Sequence, residues 1–249
     1  MPPVGGKTQP LAQMASCFTP YDGVIEHNFL LNAHLEHARS SQGNSFLAWL
    51  DVSNAFGSVP HEAIFHALRA EGADDDFVKI VANLYVGASS SLLTEDGPSE
   101  PIPILCDVKQ GCPLNDILYN LVINDTIKCV QGNPEEDKAI LAFADDIVLL
   151  ANTEKRLQDL IDRTVQSLQR VAISLNPSKC ATLHLSGTTP VGARTSAFFI
   201  RGVPIKNLSD GDWYKYLGKP VEFSIRKDGT SINDALIDGP KIATSKLSP

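Results

Sequence analysis

Residues 141–150, LAFADDIVLL, decide the fold of this chain. An apolar run enters a pair of aspartates and a second apolar run leaves it, and each run has the length of a β-strand. The pattern predicts a buried β-hairpin with Asp145 and Asp146 at its tip. Two carboxylates about 4 Å apart repel each other by roughly 1 kcal/mol in water, and more strongly where water is scarce. The pair therefore indicates a positive partner, with Mg²⁺ as the leading candidate, although an aspartate-containing tight turn is the ordinary alternative.

A second apolar run also ends in an aspartate. Residues 46–50, FLAWL, precede Asp51, and VSNAFGSVPH follows it. If neighbouring strands of one sheet bring Asp51 and Asp145 together, their carboxylates form a cluster fit for two metal ions. Two ions about 3.5–4 Å apart clamp the attacking and leaving oxygens of a phosphoryl transfer. The second run therefore favours a metal site over a simple turn.

Composition limits the class of protein. The 249 residues, 43% of them hydrophobic, suffice for one large domain or two small ones. No apolar stretch approaches the roughly 20 residues of a membrane span, and the start MPPVGGK lacks the pattern of a secretory signal. The five cysteines are scattered and form no CxxC pair, which favours an intracellular, reducing compartment. The net charge of −8 argues against nucleic-acid binding by this chain alone, because phosphate contacts need Lys and Arg.

The order of predicted elements favours an α+β fold. A helix beginning near Asp22 is followed by a strand, two helices, a hairpin, a helix, the acidic hairpin, a long helix and a strand. This order suits an antiparallel sheet with helices on one face. The first helix is predicted to bury Val24, Ile25, Phe29, Leu30, Ala33, His34 and Ala38, and the third to bury Phe77, Ile80, Val81, Leu84 and Tyr85.

These blocks, in this order, resemble the reverse transcriptase domain of non-LTR retrotransposons, most closely the site-specific R-two elements. The matching stretches are residues 18–24 (FTPYDGV), 50–61, 109–114 (KQGCPL), 143–146 (FADD), 175–180 and 214–218 (YKYLG). The resemblance implies a right-hand-type polymerase palm, an antiparallel sheet backed by helices, with partial fingers and only the start of a thumb. It divides the chain into an atypical or disordered N-terminus (1–17), a truncated reverse transcriptase domain (18–218) and the beginning of a thumb (219–249).

The resemblance also implies a metal site and a general acid. Asp51 and Asp145 match the metal-binding aspartates, Asp146 matches their acidic neighbour, and the carbonyl of Val52 is a further ligand. Lys179 matches the lysine that protonates the departing pyrophosphate. A solvated surface lysine is the alternative reading of that position.

Other matched positions concern the nucleotide and the primer. Phe56 matches the aromatic floor of the nucleotide site, where its ring would meet a ribose 2′-OH; an ordinary core phenylalanine is the alternative. Gln110 and Gly111 match the loop that touches the template and the incoming nucleotide. The primer-gripping hairpin is matched by Tyr216, Leu217 and Gly218.

The chain departs from many relatives at several matched positions. Many have Lys at the position of Asn54 and Asp at that of Gly57. Many also have Asp in place of Cys112 and Ser-Pro in place of residues 115–116. The last departure puts in question the geometry of the helix that follows Pro113.

The implied function is RNA-directed DNA synthesis with two Mg²⁺ ions, for which Mn²⁺ can substitute. The implied partners are an RNA template, a DNA primer and deoxynucleoside triphosphates in the full-length context, in the nucleus and without a membrane. The family's basic finger strands and most of its thumb have no match, which accounts for the acidic balance and predicts weak nucleic-acid binding by the chain alone. One alternative is a catalytically inactive retroelement remnant or an interaction protein. A DNA-templated polymerase or a metal-dependent nuclease fits the carboxylates but not the Gln-Gly-x-Pro-Leu block.

Overall fold

A computed structural model of the protein describes residues 23–108, 113–133 and 138–222. Within these ranges the helices are α1 (Gly23–Ser40), α2 (His61–Ala70), α3 (Asp75–Tyr85), α4 (Pro113–Gln131) and α5 (Glu154–Arg170). The strands are β1 (Asn44–Asp51), β2 (Ser89–Ser90), β3 (Leu93–Thr94), β4 (Gly97–Pro98), β5 (Ile102–Pro103), β6 (Ile140–Phe143), β7 (Asp146–Ala151), β8 (Ala181–Ser186), β9 (Gly192–Arg194), β10 (Phe199–Ile200), β11 (Val203–Pro204), β12 (Lys206–Asn207), β13 (Trp213–Tyr216) and β14 (Lys219–Glu222).

The main sheet has the strand order β12-β8-β1-β7-β6. Strand β9 pairs with the C-terminal half of β8, and β12 pairs with its first two residues. Strand β1 is central and runs antiparallel to both of its neighbours, β7 and β8. The antiparallel sheet predicted from the sequence is therefore confirmed for the long strands. The short β12 adds one parallel pair with β8, which makes the sheet mixed.

The acidic hairpin forms as predicted. Strands β6 and β7 pair up to Phe143 and Asp146, so residues 144 and 145 make a two-residue turn. Ala144 has a φ of +52°, as the first position of a type II′ turn requires, and such turns match the twist of the flanking strands. A glycine usually takes this position, so the alanine holds mild backbone strain.

Side chains alternate between two cores on either side of β1. Ala48 and Leu50 face the larger core, which helices α2–α5 supply. Leu47 and Trp49 face a second core, which contains residues of α1 and of the β13–β14 hairpin. The period of two then places Asp51 on the second face, at the end of the strand. Helices were predicted on one face alone, and α1 on the opposite face corrects that expectation.

The predicted buried face of α1 was wrong except at Ala38. Ile25 and Phe29 are 66% and 70% exposed, whereas His27, Leu31 and Leu35 point inward. The helix carries apolar residues on two faces, and periodicity alone does not tell which of them meets the sheet.

The buried face of helix α3 is also rotated about the helix axis relative to the predicted one. Val78, Val81 and Tyr85 are buried, while Phe77, Ile80 and Leu84 are largely exposed. The Asp74 carboxylate caps this helix by accepting a hydrogen bond from the Asp76 N–H at 2.8 Å, as aspartate does at helix N-termini.

Two further expectations concern local structure, and one of them changed in detail. The hairpin predicted after α3 forms as two short pairs, β2 with β5 and β3 with β4. The predicted capping of α5 is confirmed, since the Thr153 hydroxyl accepts a hydrogen bond from the Arg156 N–H at 3.2 Å. Among the described residues, no helix combines the length and apolarity that crossing a bilayer requires.

Candidate functional site

Asp51 and Asp146 lie directly opposite each other on adjacent strands, as the last residue of β1 and the first of β7. The backbone of Asp51 is turned away from β7. Its N–H donates to Cys180 Sγ at 3.4 Å, and its carbonyl accepts from the Asn176 N–H at 2.9 Å. The two aspartates therefore form a non-hydrogen-bonded pair, the kind in which Cα atoms come within about 4.5 Å and side chains project from the same face.

The cost of ionisation within this group of carboxylates falls mainly on Asp146. Burial, then the charges of Asp145 and Asp51, raise the pKa of Asp146 to about 6. Asp145 lies in the turn between β6 and β7, next to Asp146 in the chain, and its side chain is exposed. A site that favours a proton on a carboxylate at nearly neutral pH also favours a cation that replaces the proton.

The Val52 carbonyl faces the same side as Asp146. Val52 forms an isolated bridge with Leu175, and the bonds that close it come from the flanking residues. The Ser53 N–H donates to the Ser174 carbonyl, and the Asn176 N–H to that of Asp51. In this type of pair the bridging residues turn their own N–H and C=O outward. The Val52 oxygen is thus directed away from Leu175, toward the strand that carries Asp146.

The donor atoms at this site fit a hard divalent cation. They are carboxylate oxygens and one backbone carbonyl, without sulfur or imidazole, which is the set that Mg²⁺ and Mn²⁺ prefer. Within the described ranges, no three His, Cys, Asp or Glu side chains are arranged to enclose one ion. In magnesium sites of phosphate chemistry in general, one or two carboxylates bind the ion, and substrate and water supply the rest.

Lys179 lies at the edge of the carboxylates. Its Nζ is 3.8 Å from Asp51 Oδ2, and its side chain is 66% exposed. An exposed pair of this kind contributes about 0–1 kcal/mol to stability. Lys179 thus fits both predictions made for it, a solvated surface lysine and a residue of the site, because its amine is exposed and also adjacent to Asp51.

The hairpin of β13 and β14 covers the face that carries the aspartates. Tyr214 stacks on Trp49 with ring centroids 5.0 Å apart, and its hydroxyl donates to the Lys179 carbonyl at 3.4 Å. Burial and the charge of Asp146 raise the pKa of Tyr214 to about 12, so its hydroxyl stays protonated. Tyr216 is buried beside it in the second core.

The turn of this hairpin is strained. Leu217 has a φ of +48° and Gly218 a φ of +78°, the pattern of a type I′ turn. A leucine in the left-handed region costs about 1–2 kcal/mol. Strain of this kind is concentrated at functional sites, where the surrounding structure maintains it.

Phe56 is half-buried in the loop after β1. Its ring lies 4.8 Å from that of Tyr119 on α4, and it packs against the larger core. Its carbonyl accepts from the Val108 N–H at 2.8 Å. Gln110 and Gly111, predicted to touch the nucleotide, lie outside the described residues, and Val108 is the last described residue before them.

The departures from the family pattern at Asn54 and Gly57 are linked. Asn54 has a φ of +47°, a conformation that asparagine tolerates better than most residues. A Cβ on Gly57 would come within 2.6 Å of Asn54 Nδ2. The asparagine side chain therefore occupies the space that a larger residue at position 57 would need.

The departure at residues 115–116 lies in the first turn of α4. The helix begins at Pro113, as predicted. Asn115 is buried, and its Oδ1 accepts from the Tyr85 hydroxyl at 3.5 Å. The polar residue thus joins α4 to α3.

Two contributors to the site escaped sequence reasoning. Cys180 belongs to a matched block, but nothing in its residue type reveals that its thiol bonds to the Asp51 backbone. His27 contacts Tyr216 from helix α1, at a sequence distance that no local pattern encodes.

The family of the chain follows from its sequence profile. The family described as reverse transcriptase (RNA-dependent DNA polymerase) matches residues 8–221. This chain belongs to the reverse transcriptase family. Members of the family generally use divalent metal ions, which agrees with the oxygen donors at the site.

Relatives point to retrotransposable elements. The chain is 36% identical over 242 residues to the Pol polyprotein of the type-2 retrotransposable element R2DM of Drosophila melanogaster, covering 93% of this chain and 22% of that protein. It is 32% identical over 213 residues to the Pol polyprotein of the type-1 retrotransposable element R2 of Nasonia vitripennis, covering 81% of this chain and 20% of that protein. The predicted likeness to the R-two group is confirmed, and the reverse transcriptase chain spans about a fifth of the length of these relatives.

Solved structures confirm the fold. Telomerase from Candida tropicalis in complex with a TWJ fragment of telomeric RNA superimposes with a TM-score of 0.56 at 12% identity, covering 76% of this chain and 32% of that one. Apo telomerase from Candida tropicalis gives a TM-score of 0.54 at 12% identity, covering 75% and 35%. The α+β palm predicted from the sequence is thus also the fold of these polymerases.

Proposed function

We propose that this reverse transcriptase chain performs RNA-templated DNA synthesis, in which a primer 3′-hydroxyl attacks the α-phosphate of a deoxynucleoside triphosphate. The observation that carries the proposal is the direct opposition of Asp51 and Asp146 at the ends of two central strands. Family membership supplies the reaction, and the R2 relatives supply its context, a non-LTR retrotransposon.

Asp51, Asp145, Asp146 and the Val52 carbonyl would hold two Mg²⁺ ions. Bound there, the ions would lower the pKa of the primer hydroxyl and offset the charge of the departing pyrophosphate. In their absence burial and then repulsion by the neighbouring carboxylates disfavour the ionised form of Asp146, as its raised pKa indicates. A bound cation would offset both costs, as a proton does at lower pH.

Lys179 acts on the leaving group in this proposal. Its ion pair with Asp51 is long and exposed, so it costs little to break. A cation held by Asp51 would take the place of the ammonium as the partner of the carboxylate. The Lys179 ammonium would then be free to donate a proton to the pyrophosphate oxygen as a general acid, leaving a neutral amine.

The remaining matched residues place the substrates. Phe56 lies beyond the end of β1 and would exclude a ribose 2′-hydroxyl by steric contact. Gln110 and Gly111 would contact the template and the nucleotide. The strained turn of Leu217 and Gly218 would hold the primer end, because the hairpin that carries it covers the face with the aspartates.

Primer extension tests the proposal. The chain would be given an RNA template, a DNA primer and deoxynucleoside triphosphates with Mg²⁺ at low salt, since 29 acidic against 21 basic residues disfavour template binding at higher salt. Extension lost in Asp51→Asn and in Asp146→Asn, but kept in Asp159→Asn, supports the proposal. Asp159 is a matched control because it is an exposed aspartate on α5, paired with Arg163 at 3.7 Å.

The same assay separates the alternatives. Extension that prefers a DNA template would indicate a DNA-templated polymerase, and cleavage of the template strand a nuclease. A folded chain that binds Mn²⁺ but extends no primer at low salt would indicate the inactive remnant.

A further inference from the structure

The β13–β14 hairpin is positioned by side chains and not by the main sheet. Its two strands pair with each other, and within the described ranges they pair with no other strand. An isolated two-stranded hairpin is marginally stable in water. The location of the Leu217–Gly218 turn over the aspartates therefore depends on side-chain contacts. Val221 and Leu217 pack in the second core, and Tyr214 and Tyr216 contact aromatic rings of other elements.

Tyr214 makes the first contact. Its ring lies 5.0 Å from that of Trp49, whose side chain is fully buried in the second core. Stacking of this kind is worth about 0.5–1.5 kcal/mol beyond the buried area, and a ring can slide along its partner. The stack holds the hairpin against β1, and the 3.4 Å bond from the Tyr214 hydroxyl to the Lys179 carbonyl is long, so Tyr214 positions the hairpin only loosely along the strand.

Tyr216 makes the second contact, which is directional. Its hydroxyl lies 2.8 Å from Nδ1 of His27, and the two rings are within 6° of parallel. Both side chains are nearly inaccessible, with exposures of 1% and 2%. A buried hydroxyl that loses its partner pays its full desolvation cost, so this bond fixes the distance between α1 and the hairpin.

His27 also touches the acidic hairpin. Its ring meets that of Phe143 edge-on, with centroids 6.0 Å apart and an interplanar angle of 79°. Phe143 is the residue paired with Asp146 across the acidic turn. One imidazole thus contacts both the strand that leads to the aspartates and the strand that leads to the Leu217–Gly218 turn.

The bond joins two neutral groups at ordinary pH. Burial lowers the pKa of His27 to about 4. Burial and the charge of Asp146 raise the pKa of the Tyr216 hydroxyl. The contact is therefore constant across the working range of a polymerase.

We propose that His27 is a positioning residue, which fixes Tyr216 and with it the primer-gripping turn at a set distance from the catalytic aspartates. The inference rests on the proposed function of the site. It assigns to α1 a direct part in the geometry of the active centre.

The two tryptophans of the chain allow the position of the hairpin to be measured without an activity assay. They are Trp49, under the hairpin, and Trp213, at its start. In a Trp213→Phe background the fluorescence comes from Trp49 alone. Quenching by acrylamide then reports how often the hairpin leaves Trp49 uncovered.

In this background His27→Leu is expected to raise the fraction of molecules in which the hairpin leaves Trp49 uncovered by about tenfold. That ratio corresponds to about 1.4 kcal/mol, the cost of an unsatisfied buried hydroxyl. His27→Asn, whose amide can occupy the position of Nδ1, is expected to restore most of the protection. His37→Leu is the matched control, since it replaces an exposed histidine of the same helix. Tyr216→Phe removes the hydroxyl alone and tests the same bond if His27→Leu does not fold.

Kinetics supply the second readout. In primer extension, His27→Leu is expected to raise the KM for the primer more than it lowers kcat, with recovery in His27→Asn. Quenching at the wild-type level in both His27→Leu and Tyr216→Phe would overturn the inference. If the wild-type chain extends no primer, the proposed function fails, and the quenching measurement still decides whether His27 positions the hairpin.

Discussion

Replacing Asp146 by asparagine is expected to stabilise the metal-free chain at pH 7. The substitution removes a carboxylate that faces Asp51 across the strand pair and follows Asp145 in the chain. Asparagine has nearly the same shape, so the packing of the half-buried position is kept. What changes is the repulsion and the cost of burying a charge.

The magnitude follows from the pKa of Asp146, which is raised from 3.8 to about 6. Each pKa unit corresponds to about 1.36 kcal/mol, so the unscreened cost of ionisation is about 3 kcal/mol. Partial exposure to solvent reduces this cost, and we expect about 1–2 kcal/mol at pH 7.

The direction of the pKa shift determines the pH range in which Asp146 destabilises the fold. The folded chain holds a proton on Asp146 more tightly than the unfolded chain does, so the cost is fully present above the folded pKa of about 6. It disappears as the pH falls toward the unfolded value near 4. The wild type should therefore gain stability relative to Asp146→Asn between pH 7 and pH 4, where the two should converge.

Urea denaturation at several pH values, with EDTA present, measures this difference. Asp159→Asn is again the control and should follow the wild type at each pH. Mn²⁺ at a hundred times its Kd should stabilise the wild type by about 2.7 kcal/mol through linkage, and should stabilise Asp146→Asn less. An Asp146→Asn chain that is less stable than the wild type at pH 7, with an unchanged pH dependence, would show that ionised Asp146 does not destabilise the fold.

Three further predictions concern the surroundings of the aspartates. Phe56→Ala should admit ribonucleotides, with a loss of about 1–3 kcal/mol in the discrimination between deoxyribose and ribose. The measure is the ratio of kcat/KM for the two kinds of nucleotide, and an unchanged ratio would mean that Phe56 is an ordinary core residue. Gly57→Asp should destabilise the fold by about 1–3 kcal/mol through overpacking, as measured by thermal denaturation. Asn54→Gly in the same chain should recover most of that loss. Additive effects of the two substitutions on stability would disprove the linkage. Cys180→Val should cost about 1–3 kcal/mol, because the Asp51 N–H loses its acceptor; Cys180→Ser should cost less, and equal losses would show that only volume matters there.

Local sequence predicted the parts of the site that local structure determines. The acidic hairpin, the strand before Asp51 and the cap at Thr153 each depend on neighbours within a few residues, and each forms as expected. The sequence predicted that Asp145, with Asp146 beside it, approaches Asp51. The register that places Asp146 directly opposite Asp51 is set by the burial of whole strand faces, because a shift of one residue would turn every side chain of β1 to the other face.

The remainder depended on tertiary contacts that no short window contains. Helix α1 has two apolar faces, and the choice between them is made by the sheet, which buries Leu31 and Leu35 and leaves Phe29 in solvent. The bonds from Cys180 to Asp51 and from His27 to Tyr216 join residues that lie far apart in the chain. Their residue types, a thiol and an imidazole, suggested other chemistry or none.

The central position of β1 has a consequence for the making of the protein. The strand is buried over nearly its whole length, yet both of its neighbours are synthesised later, β7 from residue 146 and β8 from residue 181. At about 5–20 residues per second, roughly 7–26 s pass between the emergence of β1 and that of β8 from the ribosome. During that interval an apolar strand has at least one unpaired edge, which is a template for association with other nascent chains. Chains truncated between β7 and β8 should therefore aggregate. Production of the protein should benefit from slow initiation of translation and from chaperones that bind extended apolar segments.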